Sequence, residues 1–198
     1  PEQLLALRSL VEDLSRSMEV YNMHGGYLSL TFAKYGLSGI SHGVGYGEQK
    51  DVVPVIGQST PTVRYYLPAV HKRFGVAEIE RSFESLGITT PVDFHERICD
   101  CVVCRGVVSR DVSDFSAFGD RRYSTPQSQR QAQTPAAAKR CRFHFLMRRI
   151  AERNWIRTAS VRDIIDQIDE GLSIWSNQLP LGRQCAHLHR WRQALESA

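Results

Sequence analysis

Cys99, Cys101 and Cys104 place three thiols within six residues, in a C-x-C-x2-C arrangement. Sulfurs this close in sequence converge most readily on a metal ion, because the thiolate is the ligating form and a shared cation offsets the repulsion among several of them. Four-coordinate zinc is the usual occupant of such a cluster. A fourth ligand must come from elsewhere, and the candidates are His95, Cys141, His144, Cys185, His187 and His189. His95 lies four residues before Cys99, where a helix end and the turn into the cysteines compete for the same chain. His144 and Cys141 are three residues apart, on nearly the same face of the next helix. A site closed by His144 and an all-cysteine site closed by Cys141 therefore both fit the spacing, with His144 preferred. Four protein ligands leave no open coordination position, which marks a structural metal rather than a catalytic one.

Two further sets of residues could do chemistry. Residues 139–157 hold seven basic side chains against the single acid Glu152, and Arg142, Arg149 and Arg153, seven and four apart, share a helix face. Such a stripe suits phosphate contacts, and it also suits a solvated surface. His24, His42 and Glu48 fall beside the glycine loops His24-Gly25-Gly26 and Gly43-Val44-Gly45-Tyr46-Gly47. Loops at strand ends carry the chemistry of α/β proteins. The glycines alone, with no helix start after them, do not make a dinucleotide fingerprint.

These residues need elements to hold them. Leu4, Leu7, Leu10, Val11 and Leu14 recur at helical spacing over 2–18, 19–23 reads as a strand, 27–35 as a short helix closed by Gly36, and 37–42 as a buried strand. Strand, glycine loop, helix and strand predict an α/β protein with parallel strands. Val76, Ile79, Phe83 and Leu86 mark a helix over 76–86 that Gly87 ends, and Pro91 suits the first turn of the next, which leads into the cysteines. The polar stretch at about 109–138 reads as a flexible insertion, with Phe115, Phe118 and Tyr123 able to pin its first half to a surface. Beyond it Phe143, Met147 and Ile150 recur at helical spacing. Ser160 with Asp163 forms a capping box for a helix reaching Trp175, and Leu188, Trp191 and Leu195 share one side of the last helix.

The 198 residues are 42% hydrophobic and 23% charged, with a formal net charge of +4, the profile of an ordinary soluble domain. No stretch approaches the roughly 18–20 apolar residues of a membrane span, and the first residues lack the pattern of a secretory leader. Five cysteines is an odd count, and three are too close for paired disulfides, so a reducing, cytoplasmic setting is expected.

The cysteine motif followed by a histidine on the next helix resembles the zinc motif of tRNA-guanine transglycosylases and their DNA-modifying relatives. Ser41-His42-Gly43-Val44-Gly45 is similar to that family's glycine-containing strand end, and Arg64-Tyr65-Tyr66-Leu67-Pro68 lies where the family has a segment ending in Leu-Pro that carries its catalytic aspartate. Phe143-His144-Phe145-Leu146 resembles the segment that supplies the fourth zinc ligand. The resemblance implies the C-terminal portion of a (β/α)8 TIM-like barrel: last β/α units at 1–90, a zinc-binding subdomain at 91–157, and C-terminal helices at 158–198. It implies exchange of guanine for a 7-deazaguanine base in tRNA or DNA, a structural Zn2+ held by Cys99, Cys101, Cys104 and His144, and a protein partner or a second copy as a possible companion. Two departures matter. Arg64 stands at the nucleophile position and cannot form a glycosyl ester, so no catalytic residue is assigned. The chain is also shorter than the roughly 250 residues of a full barrel. A zinc-stabilised nucleic-acid-binding module without catalysis is the alternative expectation, and an unrelated zinc-bearing protein acting on a small molecule is the third.

Overall fold

The computed structural model describes residues 2–23, 25–41, 62–123, 131–178 and 182–196. His24, His42, Glu48, the glycine run at 43–47 and the apolar segment at 51–56 lie outside the described residues. The chain divides into two compact units, one comprising 1–53 and 150–198 and the other 54–149.

In the first unit, α1 (Glu2–Ser15) buries Arg8 and Val11, with Leu4 partly buried, while Leu7 and Leu10 face outward. Of the periodic apolar positions Val11 and Leu4 turn inward, whereas Leu7 and Leu10 do not. Arg8 also turns inward because its guanidinium donates to the Ala194 carbonyl at 2.8 Å and lies over the Tyr35 ring at 4.9 Å, so its stem packs inward with its charge engaged. Strand β1 (Val20–Asn22) runs parallel to β2 (Leu37–Ile40), with α2 (Tyr27–Thr31) and a 3-10 turn at Phe32–Tyr35 between them. Gly36 adopts φ +96°, a left-handed conformation that permits the turn into β2. Val11, Leu28, Phe32 and Leu37 form a core cluster. The helix α7 (Val161–Trp175) opens at the expected Ser160–Asp163 box, buries Ile164, Ile165, Ile168, Leu172 and Trp175, and packs on α8 (Ala186–Glu196).

In the second unit, β3 (Tyr65–Leu67) pairs antiparallel with β4 (Lys72–Phe74). The link through Pro68–Val70 and His71 is too short for a parallel crossover, which needs a dozen or more residues, so the pair is antiparallel. The helix predicted for 76–86 is α3 (Val76–Glu80) followed by turns, with Gly87 at φ +63°. Two short helices follow, α4 (Pro91–Arg97) and α5 (Val102–Val107).

Of the expected flexible insertion at 109–138, residues 124–130 lie outside the described residues, and the flanking parts are built into elements. Asp111 caps a 3-10 helix at Val112–Phe118 by accepting from Ser113 N–H, and Phe115 and Phe118 are fully buried. Strand β5 (Arg121–Tyr123) pairs with β6 (Gln131–Gln133). Phe115 and Phe118 pin this stretch as expected, while Tyr123 is exposed: Tyr65, Phe83, Phe94, Phe115 and Phe118 form one cluster, with ring centroids 4.9–6.0 Å apart.

The 24-residue helix α6 (Pro135–Thr158) begins in the second unit and ends in the first. Its buried positions are Ala137, Cys141, His144, Phe145, Glu152 and Ile156, whereas Phe143 and Ile150, on the periodic apolar face, are 45% and 51% exposed. The described residues thus form a mixed helix-and-strand structure of α/β type, their strands paired in three two-stranded sheets. Among them no helix is long and apolar enough to cross a membrane.

Candidate metal centre

The cysteines are presented by the junction of α4 and α5. Thr90 Oγ1 accepts from Asp93 N–H at 3.2 Å, Asp93 Oδ2 accepts from Thr90 N–H at 2.8 Å, and Pro91 occupies the first turn, so the start of α4 is held reciprocally. The helix ends at Arg97, and Cys99 follows in the turn. Cys101 is the N-cap residue of α5, and Cys104 sits one turn in, so both sulfurs project from the same side. Cys101 N–H points at Cys99 Sγ at 3.5 Å, folding the first sulfur back over the turn. His95, a candidate ligand by sequence, serves this turn instead. Its Nδ1 lies 3.2 Å from the Cys99 carbonyl and its Nε2 2.8 Å from the Val108 carbonyl, so the ring ties the knuckle to the end of α5.

His144 reaches the cysteines from α6. Its Nε2 donates to the carbonyl of Tyr66 at 2.6 Å, which fixes the tautomer and aims Nδ1 at the sulfurs. Nδ1 is 3.8 Å from Cys99 Sγ, 3.4 Å from Cys101 Sγ and 3.3 Å from Cys104 Sγ. One nitrogen cannot hydrogen-bond usefully to three sulfurs at once, but it can share a cation with them. A tetrahedral ion with bonds of about 2.3 Å to sulfur and about 2.0 Å to nitrogen requires S···N separations of about 3.5 Å. The observed distances bracket that value, and all four ligand atoms lie within 4.8 Å of one another. Cys99, Cys101, Cys104 and His144 could therefore hold a metal ion. Only Cys101 among them is not fully buried.

The protonation of the sulfurs argues in the same direction. Hydrogen bonding with Cys101, together with burial, pushes the Cys99 thiol up to about 12. Burial, and the sulfurs of Cys101 and Cys99, push Cys104 up as well. Hydrogen bonds from Cys104 and Cys99 draw Cys101 strongly down. The three sulfurs thus interact too strongly for all of them to carry charge without a cation. Three thiolates in so small a space need a positive partner.

Strand β3 braces the centre in a way the sequence did not disclose. The Tyr65 ring stacks on the His144 ring at 4.1 Å and 12°, and its hydroxyl lies 3.2 Å from Cys104 Sγ. Burial and the adjacent cysteine sulfurs hold the Tyr65 phenol well above its usual range, so it stays protonated beside the sulfur. The adjacent residue, Tyr66, supplies the carbonyl that orients His144. The segment compared with a catalytic strand end is therefore, in this structure, a support for the metal centre. Consecutive tyrosines in a short β segment were the only available signal.

The other candidate ligands go elsewhere. Cys141 is buried one turn before His144, and its thiol donates to the Phe118 carbonyl at 3.4 Å; burial pushes it up to about 12 despite Arg73 and Arg140. Cys185, His187 and His189 belong to the first unit, where His187 Nδ1 faces the Gln184 carbonyl at 3.0 Å. Of the arginine stripe, Arg142 and Arg153 are exposed. Arg149 is half-buried, with its guanidinium 5.4 Å from the Tyr66 ring centroid and 5.2 Å from that of Phe145. Arg64 is exposed, immediately before Tyr65.

No family model matches the chain, and no curated protein and no solved structure matches it.

Proposed function

We propose that the centre is a structural zinc site, and that it builds a rigid platform in the C-terminal portion of a transglycosylase-like protein acting on tRNA or DNA. The observation that carries the reading is the convergence of three sulfurs and one correctly oriented imidazole nitrogen within 4.8 Å. Zinc suits this donor set, since thiolate and imidazole are its preferred ligands and four of them complete a tetrahedron. A complete ligand set leaves no site for substrate, so the metal pins α6 to the cysteine knuckle and β3. The base-exchange part of the reading is supported by the order of motifs along the chain. The expected partner is a nucleic acid, met by exposed cations such as Arg142 and Arg153, with Arg149 beside them on the helix.

A non-catalytic, zinc-stabilised binding module is the second reading. Arg64 favours it, since an arginine stands where the resemblance would place the nucleophile. Incubation with labelled guanine or a 7-deazaguanine, on tRNA and on DNA, separates the two. Incorporation of label by the chain establishes base exchange and eliminates the module. Binding of nucleic acid without incorporation supports the module. Failure to bind either nucleic acid at low salt overturns both.

A further inference from the structure

A groove of about 450 Å³ opens on the second unit, and its walls include Arg64, Arg121, Ser116 and Glu80. It is distinct from the metal centre but built on the same strand. Val63 and Tyr65 are buried, so the alternation of an extended chain turns Arg64 outward, with Thr62 on its side. Thr62 Oγ1 accepts from Arg121 Nη2 at 3.2 Å, which holds the second guanidinium beside the same side of the segment. The floor is held by Gln133, whose side chain pairs with Val63 as a neighbouring strand would: Nε2 donates to Val63 O at 2.9 Å and Oε1 accepts from Val63 N–H at 2.8 Å. The same amide donates to Phe118 O at 3.2 Å.

Among the described residues neither Arg64 nor Arg121 forms an ion pair with a carboxylate. Two acids also line the groove. Glu78 Oε2 accepts from Gly75 N–H at 2.6 Å, capping α3, and burial raises the pKa of Glu80. The groove thus presents two guanidinium groups on a braced floor, one acid turned to the backbone and one partly desolvated.

We infer that this groove binds a phosphodiester of a nucleic-acid strand, with Arg64 and Arg121 donating to its oxygens. Guanidinium groups match phosphate geometry with paired N–H donors, and the contact is one that RNA and DNA both offer. Arg64 thereby has a use where a nucleophile is absent. The assignment rests on the nucleic-acid reading above and adds to it a site remote from the arginine stripe of α6. Because Tyr65 and Tyr66 brace the metal centre, a loaded centre also holds the strand that Arg64 immediately precedes.

The test is binding of the zinc-loaded chain to fluorescently labelled single-stranded RNA and DNA of one length, followed by anisotropy across a salt series, for wild type and for Arg64→Ala, Arg64→Lys, Arg121→Ala and Arg142→Ala. Zinc content and circular dichroism establish that each variant is folded. Arg64→Ala and Arg121→Ala should each weaken binding about three- to tenfold and lower the slope of log K against log salt by about one. Arg64→Lys, which keeps the charge and loses the fork, should fall between. If Arg64→Ala and Arg121→Ala bind as wild type while Arg142→Ala is weakened, the groove assignment is overturned and the nucleic-acid reading stands. If the wild type binds neither strand at low salt, the nucleic-acid reading fails and the groove fails with it.

Discussion

His144 and Tyr66, seventy-eight residues apart in the chain, meet through a 2.6 Å hydrogen bond from the imidazole Nε2 to the backbone carbonyl. That bond decides which nitrogen faces Cys99, Cys101 and Cys104, and so joins α6 and β3 to the cysteine knuckle in one construction.

Tyr65→Phe removes the hydroxyl 3.2 Å from Cys104 Sγ and keeps the ring stacked on His144. The fold should survive, and zinc affinity measured by chelator competition should drop by about ten- to a hundredfold, as for other residues that support metal ligands. His144→Ala removes a ligand itself and should cost more than Tyr65→Phe in the same assay. Equal zinc affinity in wild type and His144→Ala would dismiss the histidine as a ligand.

Cys141→Ala distinguishes the two candidate fourth ligands. Cys141 is bonded to the Phe118 carbonyl and stands outside the four-atom cluster. The variant should keep one zinc per chain and lose only about 1 kcal/mol of stability, the usual scale of a modest core truncation. Loss of zinc would show that the all-cysteine site is the real one.

Much of this centre was legible locally and little of its support was. The spacing of Cys99, Cys101 and Cys104 announces a metal because three neighbouring thiols have few other uses, and His144 could be placed because a helix follows. Tyr65 could not be assigned its role, since its contact with Cys104 spans thirty-nine residues and leaves no periodic trace. The face of α6 was misread for a related reason. Phe143 and Ile150 are its apolar-looking positions, yet the helix buries His144 against the knuckle and Phe145 beneath two arginines, Arg73 at 4.1 Å and Arg149 at 5.2 Å from its ring centroid. Packing against the cysteine sulfurs and cation–π contacts outweighed simple hydrophobicity there. Arg8 shows the same thing in the first unit, where a charged residue is buried because a carbonyl and an aromatic ring receive it.

Metal uptake should release protons. Cys99, pushed up to about 12, and Cys104, also raised by burial, must be deprotonated on binding. Zinc affinity should therefore fall as pH falls, by up to about a hundredfold per pH unit when two protons are displaced. Titration calorimetry in buffers of different ionisation enthalpy measures the proton count; a value near zero would refute this account of the thiols.

Asp93 supplies a separate acid-dependent contribution. Backbone N–H of Thr89, then the hydroxyl and N–H of Thr90, hold its carboxyl down at about 2. Its pKa is lower in the folded chain than in the unfolded one, near 3.9, so its stabilising effect is complete above about pH 4 and is lost as pH falls toward 2. Thermal midpoints of wild type and Asp93→Asn should differ above pH 4 and converge near pH 2. A difference that stays constant across that window would mean that the charge of Asp93 does not cap α4.

Zinc-edge X-ray absorption on the purified chain tests the central claim most directly. The proposed zinc site predicts one zinc per chain, with three sulfur neighbours at about 2.3 Å and one nitrogen at about 2.0 Å. A chain that retains no stoichiometric zinc, or a zinc shell with four sulfurs or with mostly oxygen neighbours, would contradict it.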